Sequence, residues 1–198
     1  MAEALLTLRI NGEDRSVAAP AHWTLLELLR YRLDLIGSKQ GCDKGDCGAC
    51  TVQIDGEPVL ACLTLAAAAQ GRDIRTVEGL GWAPEAKAGC HPLQDAFDRW
   101  DAAQCGFCTP GILMSAEALL RRVRRPVSGT EVREALAGNL CRRTGYTKIL
   151  DAVVAASEGS PGPLKKPSMN CWLGVASASD PTLMTPSAPT TMPCGLAK

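Results

Sequence analysis

The chain has 198 residues, with 21 basic and 21 acidic side chains and therefore no formal net charge. That balance argues against nucleic acid as the main partner, because phosphate binding needs an excess of Lys and Arg. Hydrophobic residues make up 46 % of the chain, which excludes wholesale disorder, while aromatics at 4 % exclude a large aromatic-filled core. No run of about 18 apolar residues occurs, so no membrane span is expected. Met1-Ala2-Glu3-Ala4-Leu5 lacks the basic and long apolar regions of a secretory signal, which makes a cytoplasmic chain the expectation.

In chain order, Leu6, Leu8 and Ile10 alternate with Thr7 and Arg9, a strand pattern, and Asn11-Gly12 is a strong hairpin signal. Arg15 to Ala18 is the expected return strand. Thr24 caps a helix, with Glu27 in capping-box position and Leu25, Leu26, Leu28, Leu29 and Leu33 on its apolar face. Gly37 is the expected stop. A Gly- and Cys-rich loop runs from Gly41 to Cys50. Strands are expected over Thr51 to Ile54 and Val59 to Leu63, joined at Asp55-Gly56, with a last one over Ile74 to Val77. These elements make a small α+β unit over residues 1–80.

Residues 81–89 read as a linker, and after them the period changes from 2 to 3.6. Helices are expected over Pro92 to Trp100 and Ile112 to Val123, the latter opened by Pro110-Gly111. A third is expected from a Thr130 cap to Ala137, and a fourth over Thr147 to Ala156. Residues 90–160 therefore read as an all-α unit with four helices. Residues 161–198 hold seven of the thirteen prolines and little periodicity, the pattern of a tail that is disordered or ordered only against a partner.

Ten cysteines stand out, at 42, 47, 50, 62, 90, 105, 108, 141, 171 and 194. In a reducing cytoplasm such thiols read more easily as metal ligands than as disulfides. There are only two histidines, His22 and His91, which leaves little room for a histidine-based metal site or a Ser-His-Asp triad. His91 precedes Pro92 and reads as a capping or surface residue.

Cys42-x4-Cys47-x2-Cys50 is followed by Cys62 after eleven intervening residues, the plant-type spacing for a [2Fe–2S] cluster. Four thiolates must converge on two irons. A tight loop supplies three and a neighbouring strand the fourth. Gly41, Gly45, Gly48 and Ala49 are small enough for the backbone to wrap a cluster and aim N–H groups at its sulfurs. A four-cysteine zinc site fits poorly, because such sites usually pair two C-x2-C knuckles. A second set is Cys105-x2-Cys108, with Cys141 after thirty-two intervening residues, and it shows three ligands where four are needed. Cys90, Cys171 and Cys194 lie outside both sets and read as ordinary free thiols.

The stretches GCDKGDCGACTVQIDG (41–56), QCGFCTPG (104–111) and GNLCRRTGY (138–146) resemble the iron–sulfur subunit of the molybdenum hydroxylases, the family of xanthine dehydrogenase, aldehyde oxidase, carbon monoxide dehydrogenase and isoquinoline oxidoreductase. The resemblance spans residues 4–158. It implies a ferredoxin-like β-grasp domain followed by a four-helix domain, each with one [2Fe–2S] cluster. It also implies a large partner subunit with molybdopterin, and a flavin- or cytochrome-containing subunit that accepts the electrons. By position, Cys42, Cys47, Cys50 and Cys62 are ligands of the first cluster, Cys105, Cys108 and Cys141 are ligands of the second, and Gln104 lies near the partner's molybdopterin. No catalytic residue or substrate site is implied on this chain. The family pattern has a cysteine where this sequence has Arg143, and a protonated guanidinium does not replace a thiolate. The other readings are a free-standing single-cluster carrier, a variant with a defective second cluster, and a zinc-stabilised interaction module.

Overall fold

The computed structural model describes residues 3–82 and 90–159. Most of the expected linker, the proline-rich tail, Cys171 and Cys194 lie outside the described residues.

Strands β1 (Glu3–Ile10) and β2 (Glu13–Pro20) pair antiparallel across Asn11-Gly12, both at positive φ (53° and 84°), as a two-residue hairpin turn demands. Pairing runs from Ile10↔Glu13 out to Glu3↔Pro20, so the ladder extends beyond the alternating segment. Helix α1 (Leu25–Tyr31) starts with the expected Thr24–Glu27 capping box. It ends at Arg32, short of Leu33 and Gly37, and the Arg30 guanidinium takes over the exit by donating to Ile36 O (2.9 Å) and Ser38 O (2.7 Å).

Strands β3 (Thr51–Ile54) and β4 (Glu57–Leu60) form a second hairpin about Asp55-Gly56. The two-residue turn seats Glu57 opposite Ile54, so β4 begins and ends earlier than Val59–Leu63. Strand β5 (Asp73–Arg75) is also shorter than expected, and Val77–Trp82 coils into 3-10 turns. The sheet order is β2-β1-β5-β3-β4, with β1 and β5 parallel and the other pairs antiparallel. Leu6, Leu8, Ile10, Val52, Ile54 and Ile74 bury one face of the sheet against Leu25, Leu26, Leu28 and Leu29 of α1. Each of these side chains contributes roughly 1.5–3 kcal/mol by leaving water.

The second half consists of α2 (Pro92–Arg99), α3 (Thr109–Val123), α4 (Gly129–Ala135) and α5 (Thr147–Ser157). His91 is the N-cap of α2: its Nδ1 accepts from Leu93 N (3.2 Å), and its own N donates to Gln94 Oε1 (2.9 Å). It is buried, so it caps and is not a surface residue. The cap of α4 is Ser128, in a capping box with Glu131, and not Thr130. The Ser-x-x-Glu pattern at 128–131 explains the shift, since both orphan donors are met there.

The Glu131 carboxylate is held down to about 2, first by Arg125 and then by the Ser128 backbone and hydroxyl. A carboxyl lowered on folding adds stability above its ordinary value of about 4.3, and that stability fades as pH falls toward about 2. Glu131→Gln is therefore expected to flatten the acid limb of a thermal-stability profile between those values. An unchanged limb would show that the capping box carries no pH-dependent stability.

Helix α3 joins the two halves. Thr109 through Leu119 are all buried, because one side faces the helical core and the other lies on β3 and β4. The helical core gathers Leu93, Phe97, Ile112, Leu113, Met114, Val132, Leu136, Ile149 and Val153, and it also takes in Val77 and Leu80. Across the seam, Gln53 Nε2 donates to Met114 O (2.9 Å) and to the Glu117 carboxylate (2.5 Å), while Arg75 pairs with Glu117 at 3.1 Å.

Candidate iron–sulfur sites

The first cysteine loop turns sharply. Asp43, Gly45 and Gly48 have positive φ, which bends the chain between Cys42 and Cys50 into a cradle. At Gly41 a Cβ would stand 2.9 Å from Cys47 Sγ, so a side chain there would fill the space beside the thiols. Cys47 N points at Cys42 Sγ from 3.4 Å. Cys50 is buried at the entry to β3, and Cys62 is buried just after β4, held close by the bond from Ala61 N to Cys50 O (3.3 Å). The sequence-predicted four thus come together.

Their electrostatics differ by position. Backbone N–H groups of Lys44 and Cys47 bring the Cys42 thiol down to about 7. Burial pushes Cys47 upward and Cys50 up to about 12, and the neighbouring thiols add to both shifts. Buried thiolates that repel one another need a cation among them to stay ionised. Two irons held by these cysteines would supply that charge. The donor set fits a [2Fe–2S] cluster.

The second set sits beside it. Cys105-Gly106-Phe107-Cys108 forms the turn ahead of α3, with Gly106 at φ 77° and Cys108 as the helix N-cap. Cys141 follows α4. Burial, then the Cys141 thiol, raises Cys108 to about 12. Cys141 is opposed by its own burial, yet the Thr144 hydroxyl and backbone N–H on its sulfur carry it down to about 7. Thr144 Oγ1 stands 3.0 Å from that sulfur. Arg143 Nη1 donates to Cys105 Sγ at 2.8 Å, and with the Phe107 backbone N–H, the larger effect, it lowers the Cys105 thiol. Three thiols and a guanidinium are therefore gathered, one thiolate short of the first set. Gln104 lies exposed on the same rim, 3.5 Å from Arg143 O.

The two loops are fastened together by residues that motif reading passed over. Leu140 N donates to Cys47 O (2.9 Å). Buried Asn139 accepts from Ser115 Oγ (2.7 Å) and donates to Gly48 O (3.0 Å) and Thr51 Oγ1 (3.2 Å). Tyr146 Oη accepts from Cys141 N (2.7 Å) and donates to Asn139 O (2.9 Å). All three lie in or beside the 138–146 motif, but their partners are distant in sequence or on the backbone. A motif shows neither.

Two family models match the chain. A 2Fe-2S iron-sulfur cluster binding domain covers residues 8–73, and a [2Fe-2S] binding domain covers residues 76–154. The nicotine 6-hydroxylase small subunit of Paenarthrobacter nicotinovorans is 50 % identical over 76 % of this chain and 88 % of its own length. The xanthine dehydrogenase iron-sulfur-binding subunit of Escherichia coli O157:H7 is 48 % identical over 73 % of this chain and 89 % of its own. Among solved structures, quinoline 2-oxidoreductase from Pseudomonas putida 86 superimposes with a TM-score of 0.71. It is 43 % identical over 80 % of this chain and 98 % of that one. These relatives are named as parts of oxidoreductases, which does not favour a free-standing carrier, and two [2Fe–2S] models leave no support for a zinc module. With four converged thiols in one half and three in the other, this chain belongs to the iron–sulfur small subunits of the molybdenum hydroxylase family.

Proposed function

We propose that the chain is the electron-relay subunit of a molybdenum hydroxylase. It passes electrons one at a time from the molybdopterin centre of a large partner subunit toward a flavin- or cytochrome-containing subunit. A [2Fe–2S] cluster supplies reversible one-electron chemistry at each site. Cys42, Cys47, Cys50 and Cys62 hold the first, and Cys105, Cys108 and Cys141 hold the second. The chain works as two modules, 1–80 and 90–160. We place it in the cytoplasm, where cysteines stay reduced and available as ligands; no helix among the described residues is long and apolar enough to cross a membrane.

The observation that carries this reading is the hydrogen bond from Leu140 N to Cys47 O. It links the backbone of a first-site ligand to the residue preceding Cys141 of the second. On the outer side, Phe107 (46 % exposed) and Leu140 (56 % exposed) flank the second site together with Gln104. Exposed large apolar side chains beside a redox site suit a partner surface.

The test is Cys50→Ala in the full chain assembled with its partners. Iron is expected to fall by about two per chain, with loss of electron delivery to the acceptor and retention of the partner subunit. Undiminished iron would remove Cys50 from the ligand set and the first site from the relay.

A further inference from the structure

Resting on the reading that Cys105, Cys108 and Cys141 are ligands, we propose that the second [2Fe–2S] cluster is held by only three cysteines. Its fourth coordination position, where the sequence has Arg143 in place of a thiolate, takes an exchangeable non-thiolate ligand. The chain then carries two unlike sites: a closed four-thiolate one, and an open one that accepts a neutral, solvent-derived ligand.

The geometry leads there in three steps. Arg143 is exposed, but it does not point away from the site: its Nη1 lies against the exposed Cys105 Sγ at 2.8 Å. The guanidinium thus occupies the neighbourhood of the thiols but brings only donors. It remains protonated and has no lone pair to offer a metal. The rest of the site is built as if to hold a charged group. Thr144 Oγ1 and N are directed at Cys141 Sγ (3.0 and 3.5 Å), and Tyr146 Oη pins the Cys141 backbone N–H at 2.7 Å. Hydrogen-bond donors directed at a sulfur favour its thiolate form, the form that binds a metal.

The charge bookkeeping is direct. Losing one thiolate removes a negative charge from the first coordination sphere, and Arg143 places a positive charge against Cys105. Both changes favour the reduced state. Exchange of thiolate ligands for neutral ones raises the potential of [2Fe–2S] centres generally. The second site is therefore expected to reduce more easily than its cysteine variant. Its iron is also expected to leave more easily, since the site has one fewer protein bond.

The experiment uses the full chain, made and purified without oxygen, as wild type, Arg143→Cys, Arg143→Ala and Cys105→Ala. Readouts are iron and acid-labile sulfide, the paramagnetic resonance signals of the reduced protein, redox titration, and iron release to a chelator. Wild type is expected to hold about four irons and four sulfides. One of its two resonance signals should move on addition of 2-mercaptoethanol, which supplies a thiolate, and move in the same sense in Arg143→Cys. In that variant the added thiol should have no further effect, the potential of that signal should fall, and iron release from the second site should slow by about tenfold or more. Arg143→Ala should keep its iron and lower the potential.

Four results overturn the proposal. If wild type holds about two irons and Arg143→Cys about four, three cysteines do not suffice, although the ligand assignment survives. If all variants, Cys105→Ala included, hold about two, the assignment of Cys105, Cys108 and Cys141 fails with it. A wild-type signal unmoved by Arg143→Cys means that a fourth protein ligand already fills the position. Iron loss in Arg143→Ala as complete as in Cys105→Ala means that the three cysteines and an exchangeable ligand do not hold the cluster without the guanidinium.

Discussion

Replacing Glu117 by Ala is expected to lower the stability of the folded chain by about 3 kcal/mol, read as a fall in the thermal unfolding midpoint of the purified full chain. Glu117 projects from α3 into the seam between sheet and helices, with its side chain 5 % exposed. It accepts from Gln53 on β3, from Arg75 on β5 and from Arg121 one turn along its own helix. Arg75 is itself only 15 % exposed, so removing the carboxylate strands a largely buried guanidinium. Arg121 is less affected, being 42 % exposed and able to recover water. A loss under about 0.5 kcal/mol would place Glu117 among ordinary surface ion pairs and would mean that the seam is held by apolar packing alone.

Gly48→Ala is expected to cost about 3 kcal/mol and to loosen the first site as well. Gly48 has a φ of 70°, and a Cβ there would stand 2.2 Å from Gly138 O and 2.9 Å from Asn139 Cα. Those are backbone atoms, which cannot swing aside as a flexible side chain can. Gly111 on α3 is the reciprocal case, since its Cβ would meet Gly48 O at 2.2 Å. Two glycines thus let the first cysteine loop nest between the start of α3 and the chain before Cys141. Alanine at position 48 would push the loops apart and break the bonds from Asn139 and Leu140 to Gly48 O and Cys47 O. Faster iron release to a chelator, together with the lower midpoint, is the expected outcome. Wild-type values for both would mean that the close approach is dispensable.

These two positions also mark the limit of what the amino-acid order discloses. The hairpins were legible because Asn11-Gly12 and Asp55-Gly56 encode positive φ locally, and α1 because its capping box and leucine face lie within one short segment. The candidate ligand cysteines were legible because thiol chemistry requires a spacing. The Ser128 box was equally local, and a nearby threonine drew attention away from it. Glu117, Gln53 and Asn139 belong to another category. Each is a polar residue in a buried position whose reason is a partner 61 to 91 residues away. Periodicity reports which face of a helix is apolar. It does not report that α3 has two neighbours, and so Glu117 reads as a surface charge until the sheet is placed against it. The small size of Gly48 suggested room for a cluster, but the structure adds that its missing Cβ makes room for Gly138 O.

The relay reading treats this chain as one part of a larger assembly, and that is open to direct test. The full-length chain, tagged and isolated from cells that also express its neighbouring partners, would be assayed for iron, molybdenum and accompanying polypeptides. A stable assembly that retains a large molybdopterin-containing subunit, with about four irons per copy of this chain, is the predicted result. A lone monomer with iron but no molybdenum and no companion would contradict it.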